Sequence, residues 1–160
     1  TYLTAGDTLA VSNAGHPRPL WHRAAAGEWN PLAADAAGHG APADLPLGVV
    51  AETAYSEARV RLGRGDLVLF YTDALTEAES PAGRMLGEAG LLDLVRRLDP
   101  ADPAGLPAAL TAALGEYRGG RPPDDDATFV LIRHTAGPAR RPGVRETLGV
   151  YAKLLGLRRV

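Results

Sequence analysis

Val68-Leu69-Phe70-Tyr71-Thr72-Asp73-Ala74-Leu75-Thr76-Glu77 is an apolar run that stops at an aspartate and then turns polar. Consecutive large apolar side chains without alternation predict a strand covered on both faces. A carboxylate at the end of such a strand is held by the sheet and presented at its rim, where it suits a hard metal ion. A second acidic cluster, Asp124-Asp125-Asp126, stands just ahead of another strand-like run, Thr128-Phe129-Val130-Leu131-Ile132. Two carboxylates at the ends of two strands suggest one shared metal site, and such a site suggests hydrolysis. The competing reading makes each aspartate a turn or helix-capping residue. Taken jointly, with no cation next to either, the two placements favour a metal.

The pattern continues outward on both sides. Gly63-Arg64-Gly65-Asp66 reads as the turn leading into the apolar run. Residues 54–62 alternate, with Tyr55, Glu57, Arg59 and Arg61 on one face and Ala54, Ser56, Ala58, Val60 and Leu62 on the other, the period of a half-exposed strand. Residues 2–4 and 8–12 flank Gly6-Asp7 as a hairpin, Asn13-Ala14-Gly15-His16-Pro17 is a second turn, and residues 19–23 form a further strand. Residues 24–44, rich in Ala, Gly, Pro and Asp, read as a surface loop. Leu45-Pro46-Leu47-Gly48-Val49 is a short apolar segment containing a turn.

Beyond Glu77 the period changes. Leu91, Leu92, Val95 and Leu98 fall at helical spacing, as do Leu106, Leu110, Leu114 and Tyr117. Asp99-Pro100-Ala101-Asp102-Pro103 separates the two helices, with Asp102 or Pro103 starting the second and Gly119-Gly120 ending it. Strands, a helical pair and a last strand predict an α+β fold with mostly antiparallel pairing. From residue 137 to 143 the composition reads as a linker. Val144, Leu148, Tyr151, Leu154 and Leu155 then mark a tail helix ending in Arg158-Arg159. Its short stripe is expected to pack back on its own domain; docking on a partner or an anionic membrane surface is the alternative.

Bulk properties narrow the function. The 160 residues suffice for one domain, and a net charge of -2 gives no reason to expect nucleic acid as partner. The absence of cysteine leaves oxygen and imidazole as metal ligands. No apolar stretch approaches the ~20 residues of a membrane span, and no signal peptide is visible, so a cytoplasmic location is expected. Because residue 1 is threonine and opens mid-strand, the chain is expected to be a fragment with further sequence upstream.

Carboxylates alone repel a phosphate ester, whereas divalent ions between them make the site electropositive. A metal-bound water has a lowered pKa and is nucleophilic near neutral pH, and paired ions ~3.5–4 Å apart stabilise both the entering and leaving oxygens. No serine, cysteine or histidine nucleophile is then required. His16 is the one side chain considered for a catalytic contact, to phosphate or metal-bound water, against a purely turn-forming role. Thr72 flanks Asp73 and is suited to orienting its carboxylate, while Asn13 and Gly15 shape their turn. His22, His39 and His134 read as structural or solvent-facing, Glu77 and Glu79 as solvated, and Arg84 and Arg118 as partners in surface salt bridges rather than phosphate ligands.

Four stretches, in order, resemble the SpoIIE/RsbU-like serine/threonine phosphatases of the metal-dependent PPM, type 2C-like class. They are Asn13-Ala14-Gly15-His16-Pro17, Leu45-Pro46-Leu47-Gly48, Gly65-Asp66-Leu67 through Tyr71-Thr72-Asp73-Ala74-Leu75-Thr76-Glu77-Ala78, and Asp125-Asp126-Ala127-Thr128. The resemblance implies an antiparallel β-sandwich flanked by helices, of which residues 1–136 are the C-terminal part, with residues 137–160 as linker and tail helix. It implies Asp73 and Asp125 as metal ligands, Asp126 as the alternative to Asp125, and manganese or magnesium as cofactor, two ions in the complete domain. It implies hydrolysis of phosphoserine or phosphothreonine in bacterial signalling, on a phosphoprotein of the anti-sigma-factor-antagonist type.

Two departures from the family pattern matter. Ala74 replaces the usual glycine, at a cost of roughly 1 kcal/mol if that position needs a positive φ and almost none otherwise. The family's N-terminal half, with its further aspartates, is absent. The fragment is therefore expected to be inactive alone and to leave sheet edges and core faces exposed. The rival reading is a pseudophosphatase, a module that binds a phosphoprotein without hydrolysing it.

Overall fold

The computed structural model describes residues 1–4, 6–32, 44–50, 53–123 and 125–137; the tail helix, His39 and Asp124 lie outside them. In chain order the strands are β1 (Tyr2–Leu3), β2 (Thr8–Ser12), β3 (Leu20–Arg23), β4 (Glu28–Pro31), β5 (Glu57–Arg61), β6 (Leu67–Tyr71) and β7 (Phe129–Arg133). Helices α1 (Gly87–Val95) and α2 (Leu106–Tyr117) lie between β6 and β7. One sheet has the order β1-β2-β5 and the other β4-β3-β6-β7, with every strand pair antiparallel.

β6 explains the layering. Successive side chains of a strand point to opposite faces. Leu67, Leu69 and Tyr71 join Leu20, Trp29, Leu75, Leu91, Val95, Leu106, Leu110 and Leu114 in the core between the sheet and the helices. Val68 points the other way and packs on Leu9 and Leu62 of the β1-β2-β5 layer, with Val11, Trp21, Val60 and Phe70 partly buried around it. The result is two facing sheets with a helical layer outside one of them. β7 completes this only on one side. Its Phe129 and Leu131 pack toward the helices, while Val130 and Ile132, on the inter-sheet face, are 54% and 40% exposed.

Two expectations are corrected. Residues 24–44 are not all loop, because β4 pairs with β3 from Leu20↔Pro31 to Arg23↔Glu28. A turn with Gly27 at φ 68° closes this hairpin, and Trp29 is the single buried residue of β4. The second helix begins at Leu106, later than Asp102 or Pro103. Asp102 instead closes the preceding turn: its carboxylate accepts the Gly105 N–H at 3.0 Å and its carbonyl accepts the Leu106 N–H at 3.0 Å. The helix ends as expected, with Gly119 and Gly120 at φ 66° and 80° and the Gly120 N–H donating to Gly115 O at 2.9 Å.

Asp66 ties these pieces together ahead of β6. It is buried, and its carboxylate accepts N–H donors from Trp21 Nε1 (3.1 Å), Ala24 (2.9 Å) and Gly63 (2.9 Å). The β3–β4 turn and the β5–β6 turn therefore share one anion. No helix among the described residues is long and apolar enough to cross a membrane.

Candidate metal centre

The β6–β7 ladder ends at Tyr71↔Phe129, and the next contact is a threonine clasp. The Thr72 N–H donates to Thr128 O (2.9 Å), and the Thr128 N–H donates to Thr72 Oγ1 (3.1 Å). Asp73 follows Thr72 directly and opens a single 3-10 turn, Asp73–Leu75. Its carbonyl accepts the N–H groups of Thr76 and Glu77 and the Thr76 hydroxyl, each at 2.8 Å. Ala74 and Leu75 are buried beneath the turn, so the Asp73 side chain is left exposed at the rim. Its Oδ1 accepts the Ala74 N–H at 3.1 Å.

Ala74 is absent from the residues with positive φ. The turn therefore needs no glycine there, and this departure from the family pattern is close to neutral.

Asp125 stands three residues before Thr128, so it and Asp73 leave the same end of adjacent strands. It is exposed, its Oδ1 accepts the Asp126 N–H at 2.7 Å, and it lines a cavity of about 220 Å³ with Ala74, Ala78, Glu77, Glu79, Met85 and Arg118. Asp73 itself is not part of that lining. Asp126 is exposed beside it.

Asp73 and Asp125 each keep a second carboxylate oxygen without a hydrogen bond among the described residues. That donor set fits a hard divalent cation. Among the described residues no group of three or more His, Asp or Glu side chains gathers to hold a metal.

The Asn13 turn lies at the Phe70 end of the sandwich. Asn13 Oδ1 accepts the His16 N–H at 2.8 Å and its Nδ2 donates to His16 O, so Asn13 closes the turn from both sides. Gly15, at φ 78°, is pressed against Pro46; a Cβ there would lie 2.5 Å from Pro46 Cγ. Two of the motif segments noted in the sequence are therefore in direct contact. His16 is exposed, donates from Nδ1 to Pro17 O at 3.1 Å, and lines a cavity of about 210 Å³ with Val11, Ser12, Asn13 and Phe70. Its Nε2 has no partner among the described residues.

Arg118 does not behave as the sequence suggested. It is 8% exposed and makes no salt bridge among the described residues. The signal available was its place at the end of α2, immediately before Gly119-Gly120, which turns the chain toward the Asp125 segment. His22 and His134 are buried, consistent with structural roles.

No curated protein matches the chain significantly. Among solved structures, the phosphatase domain of the cell-fate determinant SpoIIE from Bacillus subtilis, Mn-presoaked, superimposes with a TM-score of 0.58 at 18% identity, over 81% of this chain and 52% of that one. A second structure of that protein, its PP2C phosphatase domain with a fragment of the regulatory domain, gives 0.62 at 20% identity, over 79% and 34%. The RsbU and RsbW domains of a Mycobacterium tuberculosis protein give 0.58 at 23% identity, over 95% and 41%. The chain spans about half or less of each of these structures, and at such identities the likeness is one of fold. The sequence profile of stage II sporulation protein E matches residues 1–135. The chain belongs to the SpoIIE family, with the mixed α/β, antiparallel architecture of its PP2C phosphatase domain.

Proposed function

We propose that this chain is the C-terminal part of a metal-dependent protein serine/threonine phosphatase domain of bacterial signalling, with Asp73 and Asp125 as ligands of manganese or magnesium. The observation that supports this most is the Thr72–Thr128 clasp, from which both acidic segments depart. The clasp fixes the spacing of two segments far apart in sequence. The Ala74 N–H holds one oxygen of Asp73 and leaves the other toward solvent. A divalent cation, when bound, supplies positive potential for a phosphomonoester and a water of lowered pKa. Further carboxylates come, in this reading, from the portion of the domain that the chain does not span, which makes two ions in the complete domain and leaves this piece inactive alone. The substrate class is a phosphoserine or phosphothreonine protein, of the anti-sigma-factor-antagonist type by family resemblance. The cytoplasmic location and the division into residues 1–136 and a tail belong to the same proposal.

One observation favours the non-catalytic alternative, a phosphoprotein-binding pseudophosphatase: among the described residues no three His, Asp or Glu side chains gather to hold a metal. The Ala74 substitution no longer supports that alternative, because its backbone is ordinary. The test is phosphate release from a phosphoserine peptide by the full-length parent, with manganese or with chelator. Asp73→Asn and Asp125→Asn are expected to reduce release to the chelator level, while Asp126→Asn retains it. Wild-type turnover in Asp73→Asn would remove the metal assignment. Absence of stoichiometric divalent binding to the parent would select the pseudophosphatase.

A further inference from the structure

A guanidinium has a full charge and five N–H donors, and one on a mostly buried residue can offer them only into the cavities it lines. Arg118, 8% exposed, has neither an ion-pair partner nor a side-chain acceptor among the described residues. Its side chain lines two cavities. The first, about 220 Å³, also contains Asp125, Glu77 and Glu79. The second, about 230 Å³, is lined by Arg118, Arg121, Glu79 and Pro122.

Arg121 is fixed in place. It donates from Nε to Arg118 O at 3.3 Å and from Nη2 to Glu79 O and Ser80 O at 3.2 and 2.7 Å. Its bonds to carbonyls leave its charge uncompensated. The second cavity therefore sets two guanidinium charges against one exposed carboxylate, Glu79. Beside it, the first cavity carries three carboxylates around the same Arg118. The geometry places a positive pocket next to an acidic one, with Arg118 as their common wall.

We infer that Arg118, backed by Arg121, binds an oxyanion of the phosphoprotein substrate, either the phosphoryl group itself or an acidic side chain next to the phosphoresidue. A planar guanidinium with free donors matches both groups in bidentate fashion. The inference rests on the phosphatase reading, because Asp125, which lines the first cavity with Arg118, is what connects the pocket to the reaction. The first cavity sets three carboxylates against Arg118, whereas the second sets only Glu79 against two guanidinium groups, so the oxyanion sits on the Arg121 side.

The test uses the full-length parent with manganese, and Arg118→Met and Arg118→Lys. The kcat and KM are measured for p-nitrophenyl phosphate and for phosphoserine peptides flanked by alanine or by glutamate. Arg118→Met is expected to raise KM on the order of 30-fold or more, with Arg118→Lys intermediate because it keeps charge without the fork. A rise for every substrate assigns the phosphoryl group; a rise only for the glutamate-flanked peptide assigns the acidic side chain. Unchanged KM throughout, or a loss confined to kcat, overturns the inference. Inorganic phosphate titrated calorimetrically into the same proteins requires no turnover: weaker binding to Arg118→Met assigns the phosphoryl group, and equal affinity together with an unchanged KM for the glutamate-flanked peptide overturns the inference. If the parent with manganese releases phosphate from none of these substrates, the phosphatase reading fails. If Asp73→Asn is inactive and Arg118→Met keeps the wild-type KM, only the Arg118 assignment fails.

Discussion

Replacing Asp66 by alanine tests the fold at its most concentrated polar point. The wild-type carboxylate is 4% exposed and satisfies three N–H donors, from Trp21, Ala24 and Gly63. A hydrogen bond to a charged group contributes about 1.5–3 kcal/mol, and a buried donor left without a partner costs about 1–3 kcal/mol. Three donors in one cluster do not add fully, which places Asp66→Ala at roughly 3–5 kcal/mol. Set against a total stability of about 5–15 kcal/mol for a domain, that loss removes from roughly a fifth of the stability to all of it. Asp66→Asn gives an intermediate result. Its one carbonyl oxygen can keep the Trp21 and Gly63 donors that share Oδ2, while the Ala24 N–H, bonded to Oδ1, loses its acceptor; the expected cost is about 1–3 kcal/mol. The assay is urea unfolding followed by tryptophan fluorescence at constant m-value. A change below about 1 kcal/mol for Asp66→Ala, or a larger loss for asparagine than for alanine, would refute this account of the turn.

Two further outcomes are expected from the same kind of reasoning. Ala74→Gly, which restores the usual family residue, should destabilise by about 0.5–1 kcal/mol in thermal unfolding, because the turn has no positive φ for glycine to relieve; a gain in Tm would contradict the backbone described here. His22 is buried with both ring nitrogens unpartnered, and burial lowers its pKa while the Asp66 charge partly opposes this. A lowered folded pKa means that its contribution to stability is intact above about 6.5, the ordinary histidine value, and declines as pH falls from there toward the folded pKa. His22→Phe should remove that part of the acid sensitivity in urea midpoints compared between pH 7.5 and 5, and an identical pH slope in both proteins would count against it.

The parts of the fold that are readable in sequence are those where burial leaves a long, regular mark. β6 is covered on both faces and so is apolar throughout, and α2 repeats a buried leucine at Leu106, Leu110 and Leu114. β4 leaves almost no mark, because an edge strand with one core residue, Trp29, looks like loop composition. The start of α2 was displaced because Asp102 caps a turn by the same side-chain chemistry that caps a helix. The position of Asp73 just after β6 and of Asp125 just before β7 is readable in the sequence, as is the Asn13 turn. The condition of Arg118 was not: its burial depends on a loop that Arg121 holds through backbone carbonyls, and no spacing rule encodes that. The indifference of Ala74 to its missing glycine partner pattern was equally invisible, since only the backbone angle decides it.

The threonine clasp joins residues 56 positions apart, and both helices lie inside the loop it closes. Bringing the ends of a flexible loop of that length together costs roughly 3.5 kcal/mol of chain entropy beyond a constant. The clasp forms only once that loop closes, and helices docked on β6 shorten the span left to close, so β7 is expected to pair late in folding. The clasp is therefore a latch on the finished topology, and its formation is expected to coincide with the last kinetic phase of refolding.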